Sequence, residues 1–324
     1  MKPKRSKTTR PVKKTNAKWW LAGIVIVVAG AVWYGFRGGG VGAAKDSPFM
    51  ADRAFADLTK IVGYGARPAG SDALARTRDY IVSELQKAGL KPQLDEFQGK
   101  TPRGARKMVN IRAVRPGARP AAIALVGHYD TKVFDFNFVG ANDGGSSAAW
   151  LLEMARATSD LKLQSTLEFV FFDGEEAVVE WTDADSLYGS RHDVERRVED
   201  GSLRQLKALI LVDMIGDKNL NIKKEYDSTD WLKTIIWNTA SSLGFSREFP
   251  SNSISVTDDH VPYLKAAIPA VDLIDFEYGP GASPGQYWHT AADTLDKTSG
   301  KSLKVVGDVI YFSLPEIDQR VSRN

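Results

Sequence analysis

The chain has 324 residues with an ordinary globular composition and no cysteine, which excludes disulfides, thiolate metal sites and a cysteine nucleophile. The net charge of +3 is unevenly spread: the first 45 residues hold ten Lys and Arg and no acid, which leaves 33 basic against 40 acidic residues in the remainder. The remainder is therefore acidic by about seven charges, which argues against a nucleic-acid groove. Because the chain has no cysteine, any metal must be held by His, Asp or Glu.

The N-terminal segment has the pattern of a membrane anchor. A basic arm at residues 1–18 precedes the uncharged run "WWLAGIVIVVAGAVWYGF" at 19–36, and a glycine-rich linker follows at 37–48. Eighteen helical residues span about 27 Å, close to the roughly 30 Å of a bilayer core, and the aromatic residues at both ends suit the membrane interfaces. The positive-inside rule places the arm in the cytoplasm and the residues after the run in the periplasm or outside the cell.

Two other interpretations of this segment remain open. A cleaved signal peptide is one, because small residues including "VGA" follow the apolar run. A buried core helix is the other, and the eight charges upstream of the run argue against it. We predict an uncleaved single-pass helix, and with either the anchor or the signal peptide the main domain is exported.

Residues 49–324 have the pattern of one domain in which strands alternate with helices. Helices are predicted at residues 49–63, 71–89, 146–158, about 190–200, 230–244 and from 301, and strands at 93–97, 108–114, 122–128, 167–173, 208–216 and 270–275. This alternation predicts an α/β fold of three layers, α/β/α, around a mixed and mostly parallel sheet.

Acidic and imidazole side chains follow several of the predicted central strands. His128 and Asp213 end two of them, and Glu175 and Glu176 follow a third. Loops and a helix start supply Asp143, Asp258 and His289. Ligand sites of such folds lie at the carboxyl ends of the strands, so we expect these side chains at one edge of the sheet.

The combination of residue types predicts a zinc site. Zinc takes imidazole and carboxylate ligands and keeps one position open in catalytic sites. We expect Asp143, Glu176 and His289 to bind it, with His128 and Asp213 supporting the site or holding a second ion. A lone His is more often a core or surface imidazole, as we predict for His192.

Glu175 then has a reason to neighbour Glu176. One carboxylate can bind the metal while the next, held close to it without binding, moves a proton at the open position of the metal. The pair therefore predicts a metal-dependent enzyme with a general acid or base.

Seven stretches of the chain resemble the glutaminyl-peptide cyclotransferases, which share a fold with the zinc aminopeptidases that use two metals. They are "GARPAGS", "GHYDTK", "FVGANDGGSSAAWLLEMARA", "FFDGEEAVVEWTDADSLYGSRH", "LVDMIGD", "TDDHVPYLKAAIPAVDLI" and "WHTAADTLD". They cover most of residues 63–298 in the order of the family. The most specific are "DGEEA" followed by Trp181 and "DSLYGSRH", and "DDHVPYL" followed by "WHT".

The resemblance implies one zinc held by Asp143, Glu176 and His289, with Glu175 as general base and acid. The substrate would be an N-terminal glutamine of a peptide or protein. Its α-amine would attack its own γ-amide carbonyl, with loss of ammonia and formation of pyroglutamate.

The resemblance also assigns roles to residues around the zinc. Asp213 and Asp258 would form a hydrogen-bonded acidic pair beside the base, and Trp181 and Trp288 would line the substrate pocket. The chain departs from the family at Asp272, where animal cyclases carry a histidine. The loop at 275–287 is glycine-rich and lacks a clear aromatic wall, for which Tyr278 or Tyr287 could substitute.

Two other functions stay open at this point. The first is a zinc aminopeptidase, in which two metals activate a water and His128 and Asp213 ligate the second zinc. The second is an exported domain that keeps only the fold, which would predict loss of the base or of a ligand. Trp181, "DSLYGSRH" and "TDDH" favour the cyclase over the aminopeptidase, although a full set of five two-metal ligands keeps the aminopeptidase open. The base and the ligands are all present, which argues against the domain that keeps only the fold.

Overall fold

The computed structural model describes residues 46–281 and 283–323. The predicted basic arm, the predicted membrane helix and most of the linker lie outside these residues. Within them, no helix has the length and apolar character that crossing a membrane requires.

The described residues form seven α-helices and eight strands. The helices are α1 (Ala51–Val62), α2 (Asp72–Lys87), α3 (Gly145–Ala157), α4 (Tyr188–Glu199), α5 (Asp230–Ser242), α6 (His260–Lys265) and α7 (Gly300–Val321). The strands are β1 (Gln93–Thr101), β2 (Gly104–Arg115), β3 (Ala122–His128), β4 (Thr166–Phe172), β5 (Leu206–Asp213), β6 (Lys224–Glu225), β7 (Ser253–Ile254) and β8 (Ala270–Ile274). Short 3-10 helices span Ser202–Gln205 and Leu295–Lys297.

Six strands form one sheet in the order β1-β2-β4-β3-β5-β8. Strands β4, β3, β5 and β8 run parallel to one another, whereas β2 is antiparallel to both of its neighbours. The predicted mixed, mostly parallel sheet is confirmed. The parallel strands are continuous apolar runs because both of their faces are covered.

Strand β3 shows how each face is covered. Ile123 and Leu125 join the larger hydrophobic core, which includes Trp150 of α3 and side chains of α1, α2, α5 and α7. Val126 points to the opposite face and joins a smaller core with Tyr263 of α6 and side chains of α4. Because successive side chains of a strand alternate between faces, one apolar run serves both cores. The predicted helices on both sides of the sheet are confirmed.

The largest difference from the predicted elements is the β1-β2 hairpin. Its strands pair from Gln93 with Arg112 up to Thr101 with Gly104, whereas the sequence predicted strands only at 93–97 and 108–114. Most residues of β1 and the start of β2 are exposed or half-buried, so this end of the hairpin has no apolar run that would mark it. The φ of Gly104 is 98°, a value that glycine adopts without strain and that closes the turn.

Candidate active site

The carboxyl ends of the parallel strands place four predicted site residues at one edge of the sheet. His128 ends β3 and Asp213 ends β5, while Glu175 and Glu176 lie in the loop directly after β4. All four side chains are buried. The strand register therefore explains why residues far apart in sequence meet here.

Asp143 joins two groups of potential metal ligands. Its Oδ2 lies 3.4 Å from Nε2 of His289, which is also 3.2 Å from Oε1 of Glu176. Its Oδ1 lies 3.3 Å from Nε2 of His128, which is also 3.1 Å from Oδ1 of Asp213. Each group could hold a cation, and Asp143 belongs to both.

The loop that carries Asp143 is held by Asp293, which the sequence analysis missed. The backbone N–H groups of Asn142 and Asp143 donate to the two carboxylate oxygens of Asp293, at 2.8 and 3.1 Å. The hydroxyl of Tyr278 donates to Asp293 at 2.8 Å. The next residue, Gly144, has a φ of 76°, and a Cβ there would meet the backbone oxygen of Asp130 at 2.4 Å. Only glycine fits this turn, which begins α3 and aims Asp143 inward.

The group formed by Asp143, Glu176 and His289 fits zinc. The donors are one imidazole and two carboxylates, a set that zinc accepts. Oδ2 of Asp143 and Oε2 of Glu176 are buried and accept no hydrogen bond in the described ranges 46–281 and 283–323. A buried carboxylate oxygen without a partner is costly, and a cation would satisfy it. Burial raises the pKa of Asp143, but the close imidazoles of His128 and His289 outweigh it and keep the pKa below its usual range.

Glu175 has surroundings that suit a proton carrier. Its Oε2 lies 3.8 Å from Nδ1 of His128, and its backbone N–H donates to Asp130 at 3.2 Å. Burial, with the charges of Glu176 and Asp258, raises the pKa of Glu175 well above its usual value although His128 opposes the shift. A carboxyl group whose pKa is raised holds a proton more readily, which suits a group that takes and then returns a proton.

Asp213 and Asp258 line the same cavity as Glu175. Burial and the charge of Asp213 raise the pKa of Asp258 to about 7. The hydrogen bond expected between the two carboxyl groups requires a proton on one of them, and it stays a prediction. Asp213 is turned toward His128 and accepts the N–H of Met214, whereas Asp258 accepts the N–H of Asp259.

A cavity of about 290 Å³ opens beside these acids. Carboxylates form its polar end, and its walls are apolar side chains that include Val256 and Ile274. Trp288 forms one wall and stacks on the ring of His289, with centroids 3.9 Å apart and planes inclined by 17°. Trp181 forms another wall with 40% of its surface exposed. The cavity can hold a small, partly apolar group against the acids.

Phe276 is the aromatic wall for which the sequence analysis considered Tyr278 or Tyr287. Phe276 lines the cavity and contacts Trp288 edge to face, with ring centroids 5.1 Å apart. Tyr278 is fully buried, and its hydroxyl donates a hydrogen bond to Asp293. Tyr287 packs against Tyr278, and neither tyrosine lines the cavity. The aromatic wall is therefore formed by Phe276 and not, as expected, by Tyr278 or Tyr287.

Asp185 fixes the loop that presents Trp181. Its carboxylate accepts the backbone N–H groups of Val178, Val179 and Glu180 at 2.8 to 3.0 Å, and the hydroxyl of Tyr188 at 2.7 Å. The motif "DSLYGSRH" thus has a structural function in holding this loop. No residue spacing signals this role, because the partners are backbone amides.

Asp272 lies beneath the site and does not line the cavity. It is fully buried, with Oδ2 3.8 Å from Nδ1 of His260, whose Nε2 lies 3.2 Å from Glu225. Burial and the charge of Asp258 raise the pKa of Asp272 well above its usual value. Asp272 thus places an acid beside a buried histidine from α6.

His192 lies away from the cavity on α4. Its ring stacks on Phe97 with centroids 4.1 Å apart, and its Nε2 lies 3.2 Å from Asp95. These contacts join α4 to β1, which fits the predicted structural role.

Comparison with known proteins gives a consistent relationship. Residues 110–313 match peptidase family M28. The chain is 30% identical to a glutaminyl-peptide cyclotransferase of Gloydius blomhoffii, over 76% of this chain and 77% of that protein. It is similar to the crystal structure of an Acidobacteriales bacterium glutaminyl cyclase, with 38% identity, a TM-score of 0.81 and coverage of 85% and 97%. It is also similar to a Zn-dependent exopeptidase from Parabacteroides distasonis, with 26% identity, a TM-score of 0.76 and coverage of 84% and 99%.

Proposed function

Because the chain belongs to peptidase family M28 and, within it, to the glutaminyl-peptide cyclotransferases, we propose that it converts the N-terminal glutamine of peptides or proteins to pyroglutamate and releases ammonia. The observation that carries this proposal is the arrangement of the adjacent pair Glu175 and Glu176. Glu176 faces His289, whereas Glu175 is buried beside the apolar cavity with a raised pKa.

We propose that Asp143, Glu176 and His289 hold one zinc ion. Zinc bound there would act as a Lewis acid that polarises the γ-amide carbonyl of the glutamine and stabilises negative charge on its oxygen. Oδ2 of Asp143 and Oε2 of Glu176 are buried and accept no hydrogen bond within the described residues, which supports this assignment. The name of the Zn-dependent relative supports the identity of the metal.

The protein residues would then handle the proton and the orientation of the substrate. Glu175 takes a proton from the α-amine as its nitrogen attacks the γ-carbonyl carbon, and returns a proton to the departing nitrogen, which leaves as ammonia. The ring C–N bond forms and the C–N bond of the side-chain amide then breaks, so the α-nitrogen replaces the amide nitrogen on the γ-carbon and no water is consumed. A general acid or base in this position contributes about 10²- to 10⁴-fold to the rate.

The apolar walls suit a reaction between two groups of one substrate. Trp181, Phe276 and Trp288 surround the space beside the acids and would hold the glutamine side chain bent toward its own amine. Orientation of this kind is a large part of catalysis for an intramolecular step. Exclusion of water by the same walls would favour ring closure over hydrolysis.

A zinc aminopeptidase is the second candidate function. It is favoured by one observation: His128, Asp143 and Asp213 form a second group of potential ligands that shares Asp143 with the first. Two metals in these groups would suit activation of a water for peptide hydrolysis. The cyclase is preferred because the relatives named above with 30% identity or more are cyclotransferases and cyclases.

We also propose that the protein is exported and anchored, with the catalytic domain in the periplasm or outside the cell. The basic arm at residues 1–18 and the uncharged run at 19–36 support this topology. Before digestion, the protein should be found in the membrane fraction. Protease added to intact spheroplasts should then degrade the catalytic domain. Recovery of the full-length chain in the soluble fraction would contradict the anchor.

One incubation separates the two enzymatic functions. The zinc-loaded domain is mixed with one peptide that begins with glutamine and one that begins with leucine. The cyclase proposal expects ammonia and an otherwise intact peptide from the first, and no reaction of the second. Release of free glutamine or leucine would instead identify an aminopeptidase.

A further inference from the structure

A second cavity of about 250 Å³ adjoins the proposed active site. Trp181 and Thr257 line both cavities, so they form the boundary between them. Trp181 is 40% exposed, which leaves part of its indole available on the side of the second cavity. None of the roles assigned above uses this second cavity.

The floor of the second cavity is apolar. Leu187 is buried there, and Val194, Val261 and Pro262 are half-buried. Val194 comes from α4 and Val261 and Pro262 from α6, two helices that contact each other. The cavity therefore lies between two packed helices, which gives it fixed walls.

Charged side chains lie at the rim of the second cavity and carry both signs. Asp183, Glu195 and Lys265 are exposed. The guanidinium of Arg191 donates to the backbone oxygens of Asp183 and Ser186 at 2.7 Å and so closes one wall. With two acids and two bases, the rim does not select a charged ligand of one sign, and the floor favours an apolar one.

The spacing between consecutive residues of a peptide allows one substrate to reach both cavities. Consecutive Cα atoms of a peptide are about 3.8 Å apart, so the residue after a bound glutamine must lie directly beside the first cavity. The boundary formed by Trp181 and Thr257 is shared with a second cavity that has room for a side chain. Trp181 would contact the glutamine with one part of its indole and the next residue with another.

We propose that the second cavity receives the side chain of the residue that follows the N-terminal glutamine, and that it selects aromatic or branched aliphatic side chains there. This inference rests on the proposed function and adds a substrate class to it. Burial of one such side chain against Leu187 and Val194 is expected to raise kcat/KM about tenfold over glycine at the same position. The gain should lie mainly in KM, because the contact is the same in the ground state and the transition state.

The test compares two peptides on the zinc-loaded protein, Gln-Phe-Ala and Gln-Gly-Ala, by their rates of ammonia release. We expect kcat/KM to be about tenfold higher for Gln-Phe-Ala. Equal values for the two peptides, or a preference for glycine, would overturn the assignment of the cavity. This comparison uses the unaltered protein and therefore does not depend on the folding of a variant. Absence of ammonia from both peptides would instead contradict the proposed function itself, and with it the inference that rests on it.

A pair of variants on α4 locates the preference in the cavity. Val194→Phe fills the floor, so the ratio between the two peptides should fall to about one. Val198→Phe makes the same change one helical turn further on, at a side chain that is 60% exposed, and should keep the tenfold ratio. Circular dichroism shows whether each variant is folded. A folded Val194→Phe protein with an unaltered ratio would overturn the proposal.

Discussion

Glu175 and Glu176 are adjacent in the chain, yet their side chains face different partners. Oε1 of Glu176 lies 3.2 Å from Nε2 of the proposed zinc ligand His289, whereas Oε2 of Glu175 lies 3.8 Å from Nδ1 of His128. The loop after β4 thus separates a group that can bind a metal from a group that can carry a proton.

Glu176→Gln should lower the zinc content of the purified protein, because it removes one of three proposed ligands. Zinc measured by mass spectrometry should fall well below one ion per chain after dialysis, and ammonia release should fall with it. Dialysis of the unaltered protein against a chelator should have the same effect, reversed by added zinc. Glu316→Gln, at an exposed position on α7, is the matched control and should retain the metal. Full zinc content in Glu176→Gln would contradict the ligand assignment.

Asp293→Ala should weaken zinc binding although Asp293 is not a proposed ligand. It removes the acceptor of the N–H groups of Asn142 and Asp143, so the loop that aims Asp143 loses its support. Loss of such an outer partner typically costs about 10- to 100-fold in metal affinity. Competition with a chromophoric chelator measures the change. Asp296→Ala alters an exposed side chain three residues later and should bind zinc with the affinity of the unaltered protein. Equal zinc affinities in the two variants would refute the role of Asp293.

Asp185→Ala should raise KM for glutamine peptides about tenfold with a smaller effect on kcat. The change removes the acceptor of three backbone N–H groups in this loop, so Trp181 loses its fixed position at the cavity wall. Steady-state kinetics of ammonia release gives both constants. Glu180→Gln alters an exposed side chain in the same loop and serves as control. The role of Asp185 would be rejected if both variants had the KM of the unaltered protein.

Glu225→Gln should destabilise the fold in a pH-dependent way. Burial raises the pKa of Glu225, but the imidazole of His260 at 3.2 Å and hydrogen bonds from Asp227 N–H and Ser228 outweigh it and lower the pKa from 4.5 to about 2. Because the folded pKa is depressed, this stabilisation is present above pH 4.5 and is lost as the pH falls toward 2.

Chemical denaturation at several pH values measures this effect. The free energy of unfolding of Glu225→Gln should be lower than that of the unaltered protein by about 2 kcal/mol at pH 7, and the difference should shrink on acidification. Glu199→Gln, an exposed acid on α4, should differ by less than about 0.5 kcal/mol at any pH. A difference that stays constant with pH would show that Glu225 acts by packing and not by its charge.

The sequence predicted the central sheet well because its strands are continuous apolar runs. The strand that ends at His128 and the one that ends at Asp213 are buried on both faces, which leaves an unambiguous pattern. The two-residue strands β6 and β7 and the short helix α6 have no such pattern. They are fixed by tertiary contacts, among them the ladder that pairs Lys224 with Ser253.

The proposed ligands were also accessible from sequence, because polar residues at strand ends stand out against apolar runs. The residues that hold them were not. Asp293 and Asp185 act by accepting backbone N–H groups of loops, and any exposed acid in a turn has the same local sequence pattern. Phe276 was missed for a related reason. Which aromatic side chain of the 275–287 loop faces the cavity depends on the path of the loop.

The measurement that tests the division between the two glutamates most directly is ammonia release by Glu175→Gln at a known zinc content. The amide is close in size to the carboxyl group but cannot carry the proton, so we predict full zinc content and a rate reduced at least about hundredfold. The substrate is a peptide that begins with glutamine, and the unaltered protein is measured beside the variant. A Glu175→Gln protein that keeps its zinc and releases ammonia at the unaltered rate would contradict the assignment of Glu175. So would a variant that has lost its zinc.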